Sequence, residues 1–337
     1  MSSPRTSLSR LVKITTGLLL SVVLYVWFGP GPCSKSTTVI VKRSATVGTV
    51  AHQLKQNGVV RSISLFKVWA KLRRFRPIRG EYLFNTRDSM SSVTNKLKYG
   101  HVNYTKVNVP PGSNAWSIQR RFNEFIPENV FWSLWKDPRY MNIAGFPNAR
   151  TMEGLIAPLV YQFNHAQDPE EIFLELAEIF RDRVRSSLDG GGLPPYKLLI
   201  LASMVEKETA IPQELPLVAG VYAKRINMGM RLQCDPTVLY ARWYSGDLRI
   251  NGLTRDDICR KSNFNTYVVF GLPPTPIASP SYHAVVAAKS PCISSYVYFS
   301  ATGRGGHVFA SSLSEHVQNV KRYRNEITRR TSATKDD

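Results

Sequence analysis

The first hydrophobic pattern in the chain is a run from Leu11 to Phe28 broken by a single charge, Lys13, near its start. It approaches the ~20 apolar residues that cross a bilayer as one helix. Arg5, Arg10 and Lys13 lie at its N-terminal end, and Tyr25 and Trp27 at the other, where amphipathic rings suit an interface. The pattern predicts an uncleaved anchor over 11–28. Residues 1–10 then lie in the cytoplasm and the globular part outside the inner (plasma) membrane, in the periplasm. A cleaved signal peptide would need small residues at its cleavage site, but Gly29-Pro-Gly-Pro32 follows. Pro32 also argues against lipid attachment at Cys33.

Beyond a linker over 29–37 the periodicity changes repeatedly. Thr38 to Lys42 alternates like a strand. Thr46 to Lys55 has Val47, Val50, Ala51 and Leu54 on one helical face. Ser62 is placed to cap a second helix through Leu65–Leu72. Gly80 to Phe84 is strand-like, and Ser91 to Leu97 is helical up to Gly100. This makes 38–106 a small α/β unit. Val107-Asn-Val-Pro-Pro-Gly112 marks its end, and a larger domain follows over 107–330. In it, helices are expected at Tyr196–Thr209, Leu217–Met228 and Glu315–Arg330, with a strand at Ser295–Ser300. A disordered tail is expected over 331–337. The fold class is α+β. No P-loop, dinucleotide fingerprint or internal repeat is present.

Composition adds two constraints. The chain is 43% hydrophobic and 20% charged, the balance of a folded protein. Its net charge of +20 points to an anionic partner or a well-solvated surface. A globular part outside the membrane argues against nucleic acid as that partner. Cys33, Cys234, Cys259 and Cys292 form no Cys-x-x-Cys pair, so no zinc site is expected, and a bridge among the last three stays open. No cofactor or metal motif is legible. His307, within Gly303-Arg-Gly-Gly-His-Val-Phe309, reads as cleft-facing or structural, and His316 as a structural residue at a helix start.

The candidate chemistry lies in Leu201-Ala-Ser-Met-Val-Glu206-Lys-Glu208-Thr209 and in Leu232-Gln233-Cys-Asp235-Pro-Thr237. A carboxyl beside apolar surface holds its proton toward neutral pH, which acid catalysis on an acetal requires. Periodicity does not choose between Glu206 and Glu208, and a surface Glu-Lys-Glu run would look the same. Downstream, Asn263-Phe-Asn265-Thr-Tyr267 and Gly271-Leu-Pro-Pro274 supply amides, aromatics and stiff backbone of the kind sugar sites use.

These segments together resemble the MltG (YceG-like) family of endolytic murein transglycosylases. Val218-Ala-Gly-Val-Tyr-Ala-Lys-Arg225, Gly229-Met-Arg-Leu-Gln-Cys-Asp-Pro-Thr-Val-Leu-Tyr240 and Gly305-Gly-His-Val-Phe309 extend the match. The resemblance implies a LysM-like βααβ subdomain over 38–106 and a catalytic domain behind it. It implies cleavage of the β-1,4 bond after N-acetylmuramic acid in nascent glycan strands, leaving 1,6-anhydro ends and terminating polymerisation. It assigns the catalytic carboxyl to Glu206, with Glu153, Glu214, Gln233, Asp235, Asn265 and Tyr267 as substrate-binding candidates. The implied partners are peptidoglycan strands, the inner membrane and peptidoglycan synthases. Cys234 stands where the family usually has Thr, and Pro158-Leu-Val-Tyr161 replaces Pro-Asp-Thr-Tyr. The alternative is a weakly active or non-catalytic glycan-binding scaffold of the wall-synthesis machinery.

Overall fold

The computed structural model describes residues 13–333 except 19, 20, 23, 26, 30, 33, 248, 250, 251 and 304, with backbone alone over 328–333. The expected N-terminus over 1–10, part of the 11–28 anchor and residues 334–337 lie outside the described residues. Among the described residues no helix is long and apolar enough to cross a membrane.

The chain divides into two compact units, one running up to Lys106 and including Gln162–Asp168, the other formed by Val107–Tyr161 and the residues from Pro169 onward. In the first unit, β1 (Thr37–Val41) leads through α1 (Val47–Gln56) and α2 (Ile63–Leu72) to β2 (Gly80–Phe84), followed by α3 (Met90–Tyr99). β1 and β2 pair antiparallel, with Val39 opposite Tyr82 and Val41 opposite Gly80. Helix starts follow local chemistry: the hydroxyls of Thr46, Ser62 and Ser89 accept the N–H groups of Thr49, Leu65 and Ser92. Gly100 closes α3 in the left-handed conformation at φ 69°. Val39, Val41, Val50, Leu54, Phe66, Phe84, Val93 and Leu97 fill the core beneath. The return of Gln162–Asp168 brings His165, whose N–H and Nδ1 meet Glu81 Oε2 at 3.2 and 2.6 Å. Burial pushes Glu81 upward, but these bonds outweigh it and hold its pKa below the ordinary carboxylate value.

The second unit is mostly helical. After β3 (Thr105–Asn108) come α4 (Ala115–Phe122), α5 (Glu128–Trp135), α6 (Pro138–Ile143), β4 (Val160–Phe163), α7 (Pro169–Arg183), α8 (Pro195–Glu208) and α9 (Leu215–Asn227). Then follow α10 (Asp235–Tyr244), α11 (Arg255–Cys259), α12 (Tyr282–Lys289), β5 (Tyr298–Ala301), β6 (His307–Ala310) and α13 (Leu313–Ala333). β3 pairs with β4, and β5 pairs antiparallel with β6. α13 reaches Ala333, beyond the domain end expected at 330.

α8 is the central element. Every residue from Leu198 to Val205 is buried, so no face of it is amphipathic. Gly220 lets the segment after α12 lie close against α9: a Cβ there would lie 2.2 Å from the Cys292 carbonyl oxygen. The 271–281 loop is fixed onto α8 by Ser203, whose Oγ accepts the Ile277 N–H at 3.0 Å. Reciprocal bonds, Gly112 N to Ser279 O and Ser279 N to Ser113 O, both 2.8 Å, tie that loop to the turn before α4.

Candidate active site

Successive helical residues are ~100° apart, so Glu206 and Glu208 leave the last turn of α8 on nearly opposite sides. Glu206 Oε2 accepts the backbone N–H of Ser281 at 2.9 Å, beside the loop pinned by Ser203. Lys207 Nζ donates to Gly112 O at 3.3 Å. Glu208 faces the other way, into a cavity of ≈ 390 Å³ whose walls include Arg225, Gln233, Asp235, Tyr267 and His307. Glu206 is not among the residues lining it.

The run before α10 builds one wall. Gln233 takes a left-handed backbone, φ 54°, and its N–H donates to Thr266 O at 3.1 Å. Cys234 N–H donates to Thr266 Oγ1 at 2.9 Å, and Thr237 Oγ1 donates to Cys234 O at 2.6 Å. Arg225 braces the run from behind, giving Nε–H to Val297 O and Nη1–H to Leu232 O, both at 2.7 Å. Pinned in this way, Asp235 Oδ1 accepts the Tyr267 hydroxyl at 2.6 Å. Burial first, then that bond, raises the Tyr267 pKa.

Glu208 is half-buried at the end of α8, where Cys234 Sγ–H donates to its Oε2 at 3.3 Å. Desolvation pushes its pKa up to about 7, with the Asp235 charge adding in the same direction and the thiol bond opposing. A group in that range can both give and take a proton near neutral pH.

Glu214 serves the cavity indirectly. Its carboxylate accepts the Thr209 hydroxyl at 2.8 Å and the His307 N–H at 2.7 Å, and it holds His307 Nδ1 at 2.7 Å. Burial acts to raise its pKa, but the His307 and Thr209 bonds prevail and lower it. The ring is thus fixed by Nδ1, and His307 lines the cavity with Nε2 as its remaining nitrogen. Gly306 makes this approach possible: its φ is 80°, and a Cβ there would lie 2.6 Å from Glu214 Oε1.

The other candidates are differently placed. Asn265 is fully buried; its Nδ2 donates to the Ile258 and Arg260 carbonyls at 2.9 and 2.8 Å, and its Oδ1 accepts Tyr267 N–H at 3.0 Å. Its amide is spent on holding the loop and is not offered to a ligand. Glu153 is also fully buried, accepting Ala115 N–H at 3.1 Å and the Tyr240 hydroxyl at 2.8 Å through Oε2. Desolvation drives its pKa up to about 8.

Tyr240 belongs to a second cavity, ≈ 590 Å³, with Trp116, Trp132, Trp243, Tyr244 and Phe264 on its walls and Lys136 and Arg150 at its edge. The Trp116 ring lies 6.0 Å from Trp132 and 6.3 Å from Trp243 between centroids. α10 joins the cavities: Asp235 starts the helix at the first, and Trp243 lies at the second. At ~1.5 Å per residue they are ~12 Å apart along the axis.

Gln233, Asp235 and Tyr267, which the family resemblance nominates beside Glu206, line one cavity with Glu208. Periodicity does not separate Glu206 from Glu208, and nothing in the sequence pattern signals the tryptophan cavity; of the two readings open for His307, cleft-facing or structural, the structure puts it in the cavity lining. Cys234, Cys259 and Cys292 are free thiols, so the bridge left open is not formed among them. Among the described residues no group of three or more His, Cys, Asp and Glu is arranged to hold a metal ion.

Comparison with known proteins agrees with this architecture. Residues 39–322 match the model of the YceG-like family. An endolytic murein transglycosylase of Bacillus subtilis strain 168 is 27% identical over 313 residues, covering 86% of this chain and 86% of its own. One from Streptococcus pneumoniae serotype 2 strain D39 is 25% identical over 328 residues; the match covers 86% of this chain but 59% of that longer protein. The crystal structure of a yceG-like protein from Listeria monocytogenes superposes with a TM-score of 0.57 at 24% identity, over 84% of this chain and 98% of that one. The chain belongs to the YceG-like family.

Proposed function

We propose that the chain is an endolytic peptidoglycan transglycosylase and that Glu208 is its acid. The observation that carries this is the Glu208 carboxyl, raised to about 7, in a cavity shared with Gln233, Asp235, Tyr267 and His307. The relatives named endolytic murein transglycosylase supply the substrate class. Glu208 gives its proton to the glycosidic oxygen as the bond from C1 of N-acetylmuramic acid breaks. The sugar's own O6 then closes on C1, and its proton returns to the Glu208 carboxylate. The product is a 1,6-anhydro end, and no water is consumed. His307, steadied by Glu214, is placed to orient the 6-hydroxyl or relay its proton. The family resemblance gives the acid role to Glu206, whose Oε2 accepts the Ser281 N–H; Glu208 is preferred in this proposal because it lines the cavity with Gln233, Asp235, Tyr267 and His307.

The strand lies along α10, stacking sugar faces on Trp116, Trp132 and Trp243. The span of ~12 Å between the cavities accommodates a disaccharide-scale step. In the same proposal, 11–28 anchors the protein in the inner membrane with its globular part outside. The first unit acts as a LysM-like glycan-binding module. Released strand ends and peptidoglycan synthases are its working context.

The test is digestion of purified sacculi by the full-length protein, with products read by mass spectrometry. Soluble muropeptides ending in 1,6-anhydro sugar are expected. Reducing ends would mean a hydrolase instead. Strand binding without release would favour the scaffold reading, to which the aromatic cavity lends some support.

A further inference from the structure

α2 turns a stripe of aliphatic side chains outward. Leu65, Val68 and Leu72 are 49%, 56% and 69% exposed. Their spacing stacks them on one helical face. The opposite face meets the core through Phe66 and Ala70, both buried, so the stripe is not the packing side of the helix.

The two flanks of the stripe differ. On one side Lys67 and Lys71 are exposed, one turn apart. With Arg74 and Arg76 they border a groove of ≈ 470 Å³ floored by Val47, Gly48 and Ala70. On the other side Trp69 carries the Arg73 guanidinium 4.8 Å above its ring. Trp69 also meets Trp27, with ring centroids 3.7 Å apart. Trp27 closes the apolar N-terminal segment, in which Ile14, Leu18, Val22 and Phe28 are 63%, 67%, 54% and 65% exposed. Arg61 lies 4.6 Å over the Tyr25 ring of the same segment. The aliphatic stripe of α2 and the apolar N-terminal segment therefore join at the Trp27–Trp69 contact into one surface.

We infer that α2 docks on an anionic phospholipid leaflet. The aliphatic stripe enters the boundary between headgroups and acyl chains, Trp69 and Trp27 take the interfacial position, and Lys67, Lys71, Arg74 and Arg76 meet lipid phosphates. The chemistry discriminates among occupants. A glycan strand would need amides, carboxylates or exposed ring faces, which the Leu-Val-Leu stripe lacks. A polyanion such as nucleic acid would use the cations and leave the aliphatic groups in water. A lipid surface uses both, and the net charge of +20 favours an anionic one. The first unit is thus held to the membrane at α2 as well as at the N-terminal segment. This inference stands apart from the transglycosylase reading and does not depend on it.

The test is hydroxyl-radical labelling of the full-length protein, read residue by residue by mass spectrometry. Vesicles of phosphatidylcholine alone are compared with vesicles also containing phosphatidylglycerol. Labelling of Leu65, Val68 and Leu72 should fall severalfold in the anionic vesicles, while Ile293, 99% exposed on the second unit, keeps its labelling. Lys67→Gln/Lys71→Gln should restore it, since two surface cations together strengthen attachment by about thirtyfold. Equal labelling in the two vesicles overturns the inference. So does protection that grows with protein concentration without lipid, which would place a second copy on the stripe, or protection by soluble glycan strands.

Discussion

Cys234 Sγ lies 3.3 Å from Glu208 Oε2 and donates to it from a fully buried position. Burial raises the Glu208 pKa, the Asp235 charge raises it further, and the thiol bond pulls it back. Cys234→Ala removes the opposing contribution, so the alkaline limb of the activity profile should move to higher pH. A limb that stays in place while overall rate falls would assign Cys234 to packing alone.

The pH dependence of the wild type follows from the same group. An acid must carry its proton to act, and Glu208 releases it at about 7. Activity on glycan strands should be sustained on the acid side of that value. Above it, kcat/KM should fall by about tenfold per unit. A profile flat from neutral to mildly alkaline pH would remove Glu208 from the acid role.

His307 and Gly306 form a paired prediction. His307→Ala leaves Glu208 in place but removes the ring that Glu214 fixes, and should lower kcat by about a hundredfold, the lower range for a positioned proton-transfer group. Gly306→Ala forces a Cβ within 2.6 Å of Glu214 Oε1 and 2.9 Å of Ile211 Cδ1. It should lower kcat by a smaller factor with KM nearly kept. If His307→Ala retains wild-type kcat, the dyad is structural.

Glu153 makes stability, rather than rate, depend on pH. Its folded pKa, about 8, lies above the ordinary value of 4.5. Between those values the folded state holds a proton that the unfolded state has lost, so stability falls as pH rises through that window. Glu153→Gln keeps an oxygen for Ala115 N–H and the Tyr240 hydroxyl. Thermal unfolding across the same range should then be flatter for the variant than for the wild type. Parallel melting curves would show that Glu153 does not ionise on unfolding.

Local signals are legible in the sequence because they depend on nearby residues. Thr46 and Ser62 begin their helices and Gly100 ends one by bonds to groups within a few positions, at boundaries the sequence spacing predicts. Non-local pairings were hidden. β6 follows two glycines and looks like loop until it meets β5, and the return of Gln162–Asp168 to the first unit depends on contacts such as Glu81 with His165. Glu206 and Glu208 could not be separated because α8 is buried all round, which leaves no polar face to show where the cavity lies. Asn265 shows a different limit: a loop amide reads the same whether it faces a sugar or, as here, three backbone carbonyls. The tryptophans lie on α4, α5 and α10, far apart in the chain, and only packing brings them together.

The most direct measurement compares the release of 1,6-anhydro muropeptides from sacculi by Glu208→Gln and Glu206→Gln beside the wild type. Glutamine keeps the shape of each side chain and removes its proton chemistry. Glu208→Gln should abolish release, by a hundredfold or more at the usual worth of a general acid. Glu206→Gln should keep most of the rate, since an amide oxygen still accepts the Ser281 N–H. Loss of release in Glu206→Gln with Glu208→Gln still active would contradict the account.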